Sequence, residues 1–229
     1  MRTFPRIASA VCSAAYLAFV VDPQLPGVRF GVAFKVASIG LLIVVAAMAP
    51  SRRKLLMLAL YFSAIGDLLL DVRRLGPLGP VQLFLLGLIS FLVAHLFYVA
   101  MFVRERSAAI SMTRKVASAV VVVVAVISLR VLWPTLEEMR VPVLAYSAVL
   151  TAMAIMAQRS RFGKVVAIGA LLFFASDTML AMSIFGHPFG GARVLVWVTY
   201  YAAQVMIAGG VVSEGTRELS GKFRVASTQ

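Results

Sequence analysis

The sequence contains few of the residues that build metal sites and nucleophilic catalytic sites. Of its 229 residues, one is cysteine (Cys12), two are histidine (His95 and His187) and nine are acidic. One cysteine excludes an internal disulfide, and one cysteine with two histidines cannot build a His₃ or Cys/His zinc site. No G-x-S-x-G elbow and no glycine-rich phosphate loop is present. We therefore expect neither a metal ion nor an organic cofactor.

Charged residues are also scarce, at 14% of the chain, whereas hydrophobic residues make up 62% and the mean hydropathy is +0.97. Soluble domains carry about 25% charged residues, and a membrane-spanning helix needs about 20 mostly apolar ones. The composition predicts an all-α, polytopic membrane protein, a single transmembrane domain over residues 1–229. Because no A-x-A-like site ends the first apolar run, we expect a retained helix there rather than a signal peptide. Eight spans are predicted, near 7–21, 30–49, 55–72, 81–103, 116–133, 141–157, 164–184 and 194–212.

The formal net charge of +13 is distributed unevenly between alternate loops. With the N-terminus inside, fifteen basic residues fall on the inner side and six on the outer side, and Lys35 lies within a span. This is the positive-inside asymmetry, so both termini should be cytoplasmic, and the membrane would be the inner or plasma membrane if the source is a bacterium. The basic loops are expected to meet anionic lipid headgroups rather than nucleic acid. The six outer residues are Arg29, Arg73, Arg74, Arg130, Arg140 and Arg193.

Two segments of the chain resemble each other at an offset of 110 residues. Aligning FSAIGDLLLDVRRLG (62–76) with FFASDTMLAMSIFG (173–186) places Asp67 on Asp177 and Gly76 on Gly186. The offset predicts two four-helix halves, about 1–105 and 106–215, followed by a cytoplasmic tail at 216–229. Because four is even, the halves would be parallel and would surround a central cavity. The alternative is that any eight-helix chain with short loops aligns loosely on itself.

The aspartates stand out because a carboxylate at membrane depth costs about 2.5–3.5 kcal/mol even on insertion scales. Asp67 lies twelve residues beyond Leu55, and Asp177 lies twelve residues beyond Val165, which is about 18 Å of helix in each case. They would thus lie at one depth and face each other. We interpret both as functional, against the alternative of structural carboxylates bound to helix-end amides or a lysine. Asp71, a turn nearer the surface beside Arg73 and Arg74, is interpreted as a solvated interfacial carboxylate.

Other polar side chains fall within the spans. Lys35 either snorkels to the interface or serves as a cation for a phosphate or an aspartate. Tyr200 and Gln204 share one face of the last helix at i, i+4, and a glutamine at mid-depth needs hydrogen bonds. His95 lies deeper than the other groups, and as a lone histidine it is interpreted as a packed, hydrogen-bonding residue.

The segments FSAIGDLLL (62–70), FLLGLISFLVAHLFYVAMF (84–102), FFASDTMLA (173–181) and TYYAAQVMIA (199–208), in this order, resemble the lysoplasmalogenase (YhhN-like) family of integral membrane proteins. The resemblance runs from Lys35 to Ile207. It implies a hydrolase that cleaves the vinyl ether bond of lysoplasmalogens into a fatty aldehyde and a glycerophospho-base. Two departures are Val36, where the family often has proline, and Asp71, where an apolar residue is expected. The resemblance implies Asp67 and Asp177 as catalytic residues and, for substrate binding, Lys35, His95, Tyr200, Tyr201, Gln204 and a peripheral Asp71.

The implied chemistry suits paired carboxylates. Protonation of the vinyl ether β-carbon leaves an oxocarbenium ion, a problem that glycosidases solve with two carboxyl groups. One of Asp67 and Asp177 would be the acid and the other the stabiliser or base, with the assignment open. Expected partners are the lysophospholipid, whose phosphate Lys35 or the outer arginines would hold, and membrane lipids. No protein partner is implied, and the sequence is compatible with a homo-oligomer. The alternative function is a proton-coupled transporter of a small molecule or lipid, since duplicated halves with midplane carboxylates suit that class.

The loop between the fourth and fifth spans tests the predicted orientation. Arg104, Arg106, Arg114 and Lys115 border this loop, and the positive-inside rule places it in the cytoplasm. A phosphatase or fluorescent reporter fused within residues 104–115 should report the inner side, as should one at the C-terminus. A reporter active on the outer side in the 104–115 loop would contradict the predicted topology.

Overall fold

A computed structural model describes residues 3–22, 28–49, 54–72, 79–107 and 109–226, and within these ranges the chain is helical with no β-strand. Two 3₁₀ turns, Trp133–Thr135 and Glu137–Met139, join the fifth and sixth helices. The α-helices are α1 Thr3–Val21, α2 Val28–Ala47, α3 Lys54–Val72, α4 Pro80–Arg104, α5 Met112–Leu132, α6 Arg140–Arg159, α7 Lys164–Ile184 and α8 Ala192–Ala226.

The all-α, polytopic fold class is confirmed, since each predicted span corresponds to one helix. Of these helices, seven are long and apolar enough over their described residues to cross a membrane. The exception is α3, which carries Lys54, Asp67 and Asp71 within 19 residues. Pro80 begins α4, where a missing backbone N–H is tolerated. No proline interrupts α8, and the segment predicted to be a tail from residue 216 continues as helix to Ala226.

The packing of the helices follows the same order in both halves of the chain. The contacts α1 with α2, α2 with α3 and α3 with α4 are matched by α5 with α6, α6 with α7 and α7 with α8. Between the halves, α2 packs against α8 and α6 packs against α4. These pairs are the ones that a twofold relation between four-helix halves produces. Gly76, on which the predicted alignment also rests, lies outside the described residues, as do Arg73 and Arg74.

Glycines bring neighbouring helices close together at the α3–α4 contact and at the α7–α8 contact. A Cβ added to Gly66 on α3 would lie 2.5 Å from the Phe91 ring on α4. On α8, a Cβ at Gly210 would lie 2.5 Å from Cγ2 of Val166 on α7. Val166 is fully buried and β-branched, so it has little freedom to move aside. Small residues at these positions let the backbones approach, as is usual for helices packed in membranes.

The adjacent glycines Gly209 and Gly210 provide a matched pair for testing this packing. A Cβ at Gly209 would meet no atom within 4 Å. Gly209→Ala should therefore raise the free energy of unfolding by about 0.5–1 kcal/mol through helix propensity. Gly210→Ala should lower it by about 1–3 kcal/mol, because the new methyl group overpacks against Val166. Thermal unfolding of both variants in one detergent measures the difference, and shifts of the same sign would contradict this packing.

Candidate active site

Asp67 is the buried carboxylate on α3, and it is bound from two other helices. Lys35 on α2 places its Nζ atom 3.2 Å from Asp67 Oδ1. The phenol of Tyr200 on α8 donates a hydrogen bond of 2.7 Å to Asp67 Oδ2. All three side chains are buried. Asp67 thus has a cationic partner and a phenol donor, which together offset the cost of its charge at this depth.

Lys35 lies at the centre of a larger group of side chains, which we call the Lys35 cluster: Lys35, Asp67, Asp71, Tyr16, Trp197 and Tyr200. Its Nζ atom is 3.3 Å from Asp71 Oδ2 as well as 3.2 Å from Asp67. The rings of Tyr16 and Trp197 flank the ammonium at 5.6 and 5.8 Å, within the range of cation–π attraction. Lys35 is 9% exposed, so it does not snorkel to the surface as one interpretation of the sequence had it. Asp71 keeps 24% of its side chain exposed but faces Lys35, so it is part of this cluster and not a freely solvated carboxylate.

Asp177 on α7 has a different set of partners. The phenol of Tyr146 on α6 donates a short hydrogen bond to Asp177 Oδ2. His95 on α4 is fully buried, and its Nε2 atom lies 3.8 Å from the same oxygen without a hydrogen bond to any described residue. Its Nδ1 atom lies 2.7 Å from the Phe91 carbonyl, so Nδ1 carries a proton, and in the neutral ring Nε2 is an acceptor. Asp177 therefore faces a phenol and an imidazole rather than an ammonium group.

A hydrogen-bond network and an aromatic ring lie between the two aspartates. Tyr98 donates a 2.6 Å hydrogen bond to Gln204 Oε1, and Gln204 Nε2 lies 3.2 Å from the hydroxyl of Tyr200, which binds Asp67. Phe173 packs against His95 with ring centroids 4.8 Å apart and against Tyr200 at 5.3 Å. No hydrogen bond joins the two carboxylates directly in the described part of the chain. Phe173 therefore lies against one partner of each aspartate, and each aspartate has its own phenol donor.

Most of the side chains proposed from the sequence come together in these two groups. Tyr201 is the exception, because it shares a hydrogen bond of 2.8 Å with Ser9 on α1 and stacks on Trp197 at 5.8 Å. No three His, Cys, Asp or Glu side chains gather as metal ligands among the described residues. Several aromatic residues of the site were not predicted from the sequence. The one feature that indicates them is an aromatic side chain with a hydroxyl or N–H group deep in an apolar span. They are Tyr16, Tyr98, Tyr146 and Trp197.

Comparisons with known proteins identify relatives along most of this chain. A model of the YhhN family matches residues 30–211. Two proteins named "Lysoplasmalogenase", from Mycobacterium bovis and Mycobacterium tuberculosis, are each 36% identical over 186 residues, which is 78% of this chain and 69% of theirs. The human "Lysoplasmalogenase TMEM86B" is 34% identical over 165 residues, 70% of this chain and 65% of the human protein. No solved structure matches.

Loss of only one partner of the Lys35–Asp67 ion pair should greatly lower the stability of the protein. Lys35→Met leaves the buried Asp67 and the partly exposed Asp71 without their ammonium group, so it should lower the free energy of unfolding by about 3–5 kcal/mol. The double variant Lys35→Met/Asp67→Asn should recover part of that loss, because it removes a charge along with its partner. Denaturation in mixed micelles measures the three values. The control is Lys115→Met at an exposed position on α5, which should change stability by less than about 0.5 kcal/mol. Additive losses in the double variant would contradict the pairing.

Proposed function

The chain belongs to the YhhN family, and from this membership we propose that it is a membrane hydrolase that cleaves the vinyl ether bond of lysoplasmalogens, releasing a fatty aldehyde and a glycerophospho-base. The names of its mycobacterial and human relatives support this activity. The observation that carries the mechanism is that the two buried aspartates have unlike partners. Asp67 faces an ammonium group, whereas Asp177 faces a phenol and an imidazole.

Vinyl ether hydrolysis needs a proton donor and is assisted by a base, and two carboxyl groups in different protonation states can fill these roles. A proton added to the β-carbon leaves an oxocarbenium ion on the α-carbon and the ether oxygen. Water adds to that cation and loses a proton, which gives a hemiacetal. The hemiacetal then collapses to aldehyde and alcohol. One group must supply the first proton, and another must be an anion that stabilises the cation and accepts the proton of the attacking water.

The partners of the aspartates favour one assignment of these roles. The ammonium of Lys35 and the hydroxyl of Tyr200 stabilise the anionic form of Asp67, so Asp67 is assigned as the carboxylate. Asp177 has no lysine or arginine among its partners in the described residues, and the free Nε2 atom of His95 is oriented as a hydrogen-bond acceptor. A protonated carboxyl group can donate to such an acceptor, so Asp177 is assigned as the general acid.

With these roles the protons balance over one turnover. Asp177 protonates the β-carbon and becomes a carboxylate. Asp67 takes a proton from the water that attacks the oxocarbenium ion. In the collapse of the hemiacetal, Asp67 returns this proton to the departing glycerol oxygen, while the hemiacetal hydroxyl gives its proton to Asp177. Both aspartates are then restored and one water molecule has been consumed.

The position of Lys35 also indicates where the phosphate of the substrate would not bind. An ammonium already shared by two carboxylates offers little attraction to a phosphate, since the repulsion from Asp67 and Asp71 opposes it. The outer arginines are better candidates. Arg193 is exposed and lies one helical turn before Trp197, a member of the Lys35 cluster. The alkenyl chain would extend from the aspartates between the apolar faces of the helices.

The transporter interpretation rests on the same duplicated packing and deep carboxylates. Carriers of this kind usually form their substrate site from broken helices in matching halves. Here α3 and α7, which carry the aspartates, are continuous over Lys54–Val72 and Lys164–Ile184. This continuity, together with the family membership, supports the hydrolase.

Replacing either aspartate tests the proposed mechanism. Asp67→Asn and Asp177→Asn should each reduce kcat by at least about 10²–10⁴-fold, because asparagine can neither donate a carboxylic proton nor stabilise a cation. The double variant should lose little more than either single variant, since the two groups act as a unit. The assay measures free aldehyde released from a lysoplasmalogen by purified protein in detergent, with and without a chelator.

The matched control is Glu138→Gln, which removes an exposed carboxylate far from the cluster in the chain and should leave turnover unchanged. Wild-type turnover in either aspartate variant would refute the paired mechanism. If activity were lost on chelation and restored only by a divalent ion, the mechanism would be metal catalysis and not acid–base catalysis.

A further inference from the structure

Gln204 lies where it contacts other side chains of the protein and has no surface for a substrate. Its Oε1 atom accepts a 2.6 Å hydrogen bond from Tyr98 on α4, and its Nε2 atom lies 3.2 Å from the hydroxyl of Tyr200 on α8. Tyr200 in turn donates to Asp67 Oδ2 at 2.7 Å. We call these four residues the Tyr98 network: Tyr98, Gln204, Tyr200 and Asp67. Both Tyr98 and Gln204 are 0% exposed, so a lysolipid beside the aspartates does not reach them.

The hydrogens of the Tyr98 network can point in two directions. In the forward direction each group donates to the next, from Tyr98 to the carboxylate of Asp67. In the reverse direction the Gln204 amide is turned over, and Tyr200 donates to Gln204 and no longer to Asp67. An amide permits both directions because it has a donor and an acceptor at the same end of its side chain.

Tyr98 determines which direction is favoured. Its hydroxyl has no hydrogen-bond partner other than Gln204 among the described residues. Its ring packs against Phe102 and Phe173, with centroids 6.2 and 6.1 Å apart, so its surroundings are apolar. In the reverse direction the hydroxyl hydrogen of Tyr98 would be buried there without an acceptor, which is disfavoured. The phenol of Tyr98 therefore holds the amide of Gln204 with its NH₂ group toward Tyr200.

The forward direction determines how the carboxylate of Asp67 is held. Because Gln204 donates to the oxygen of Tyr200, the one hydroxyl hydrogen of Tyr200 is directed to Asp67 Oδ2. The ammonium of Lys35 contacts the other oxygen, Oδ1. Donors on two different oxygens fix the plane of the carboxylate and stabilise its anionic form. Tyr98 thus acts on Asp67 through two intervening side chains.

The network reaches only one of the two aspartates. At the 110-residue offset, Tyr200 corresponds to Ser90 and Gln204 corresponds to Ala94. The hydroxyl of Ser90 donates to a backbone carbonyl of α3, and an alanine side chain makes no hydrogen bond. Within the described ranges, no equivalent network ends on Asp177. The Tyr98 network is therefore one of the features that make the surroundings of the two carboxylates different.

We propose that Tyr98 and Gln204 are positioning residues, which act through Tyr200 to hold Asp67 as an oriented carboxylate, and that neither of them contacts the substrate. The proposal rests on the proposed function for the part that Asp67 plays in turnover. It gives Gln204 a role other than the substrate binding that the family resemblance implied. Replacing either residue should therefore lower kcat and leave substrate affinity unchanged.

Removal of the Tyr98 hydroxyl tests the proposal with a minimal change of shape. Tyr98→Phe should lower kcat about tenfold, through loss of the buried hydrogen bond, and should leave KM within about twofold of the wild type. The Kd and the binding stoichiometry of a saturated ether lysolipid, which is not cleaved, should be unchanged and show that the folded fraction is the same. The matched control is Tyr61→Phe, which removes the hydroxyl of a tyrosine that is 53% exposed on α3 and should leave kcat unchanged.

Coupling between variants separates positioning through Tyr200 from a purely structural role. Tyr200→Phe already lacks the donor to Asp67, so adding Tyr98→Phe to it should change kcat by less than about twofold. Adding Tyr98→Phe to Gln204→Met should have an equally small effect. If the losses multiply instead, Tyr98 acts independently of Tyr200 and the proposal is wrong.

The C–O stretching band of tyrosine provides a readout that needs no turnover, because its frequency depends on the hydrogen bonds of the hydroxyl. In infrared spectra of protein with isotope-labelled tyrosine rings, subtraction of the Tyr200→Phe spectrum identifies the band of Tyr200. Tyr98→Phe should move this band toward its position in Gln204→Met. A band at the wild-type position would show that Gln204 keeps its hydrogen bond to Tyr200 without Tyr98, and would overturn the proposal.

The outcomes separate this proposal from the proposed function. Wild-type kcat in Tyr98→Phe, in a protein that cleaves lysoplasmalogens, would overturn the positioning role and leave the hydrolase in place. If the wild type releases no aldehyde but the Tyr200 band moves as expected, the hydrolase is refuted and the positioning of Asp67 through Tyr200 stands. If Tyr98→Phe does not fold, Gln204→Met is measured in its place with the same expected loss of kcat, and an unchanged kcat would overturn the proposal.

Discussion

A carboxylate at mid-membrane depth needs a partner, and the contact of Asp67 with Lys35 is the interaction on which the first half of this protein depends. It joins α2 to α3, and the hydrogen bond from Tyr200 adds α8 from the second half. Because a buried charge that loses its partner is strongly destabilising, these three helices are held in one relative position. The same contacts that fix the helices also fix the orientation of the Asp67 carboxylate, so under the proposed mechanism stability and catalysis would depend on the same atoms.

The two halves interlock around their aspartates in a repeated way. Each aspartate is contacted by the helix that precedes it in its own half, through Lys35 for Asp67 and through Tyr146 for Asp177. Each is also approached by the fourth helix of the opposite half, through Tyr200 on α8 and His95 on α4. Separating the halves would expose both carboxylates to lipid at once. The polar contacts therefore make the interface between the two halves specific. Hydrophobic packing alone would not do so, since lipid solvates apolar side chains as well as a neighbouring helix does.

Hydropathy and spacing predicted the helices, because the apolar runs that form them follow from the chain's local composition. The i, i+4 pair of Tyr200 and Gln204 was also correctly placed on one face, and the structure joins the two side chains by a hydrogen bond. What the sequence could not supply is the rotation of each helix about its axis. Tyr200 and Tyr201 are neighbours that point about 100° apart, and only packing decides which of them meets Asp67. Tyr146 was missed for the same reason, since nothing within α6 indicates that this phenol faces α7.

The predicted duplication would supply two equivalent carboxylates, whereas the proposed mechanism needs two that differ. The two carboxylates differ in the residues that contact them, since both side chains are aspartate. At the 110-residue offset, Lys35 corresponds to Ala145, and Tyr146 corresponds to Val36. One half therefore offers its aspartate an ammonium group, and the other offers a phenol at the neighbouring position. The proposed mechanism requires an acid and a base in opposite protonation states, and it would account for the different residues that contact the two carboxylates.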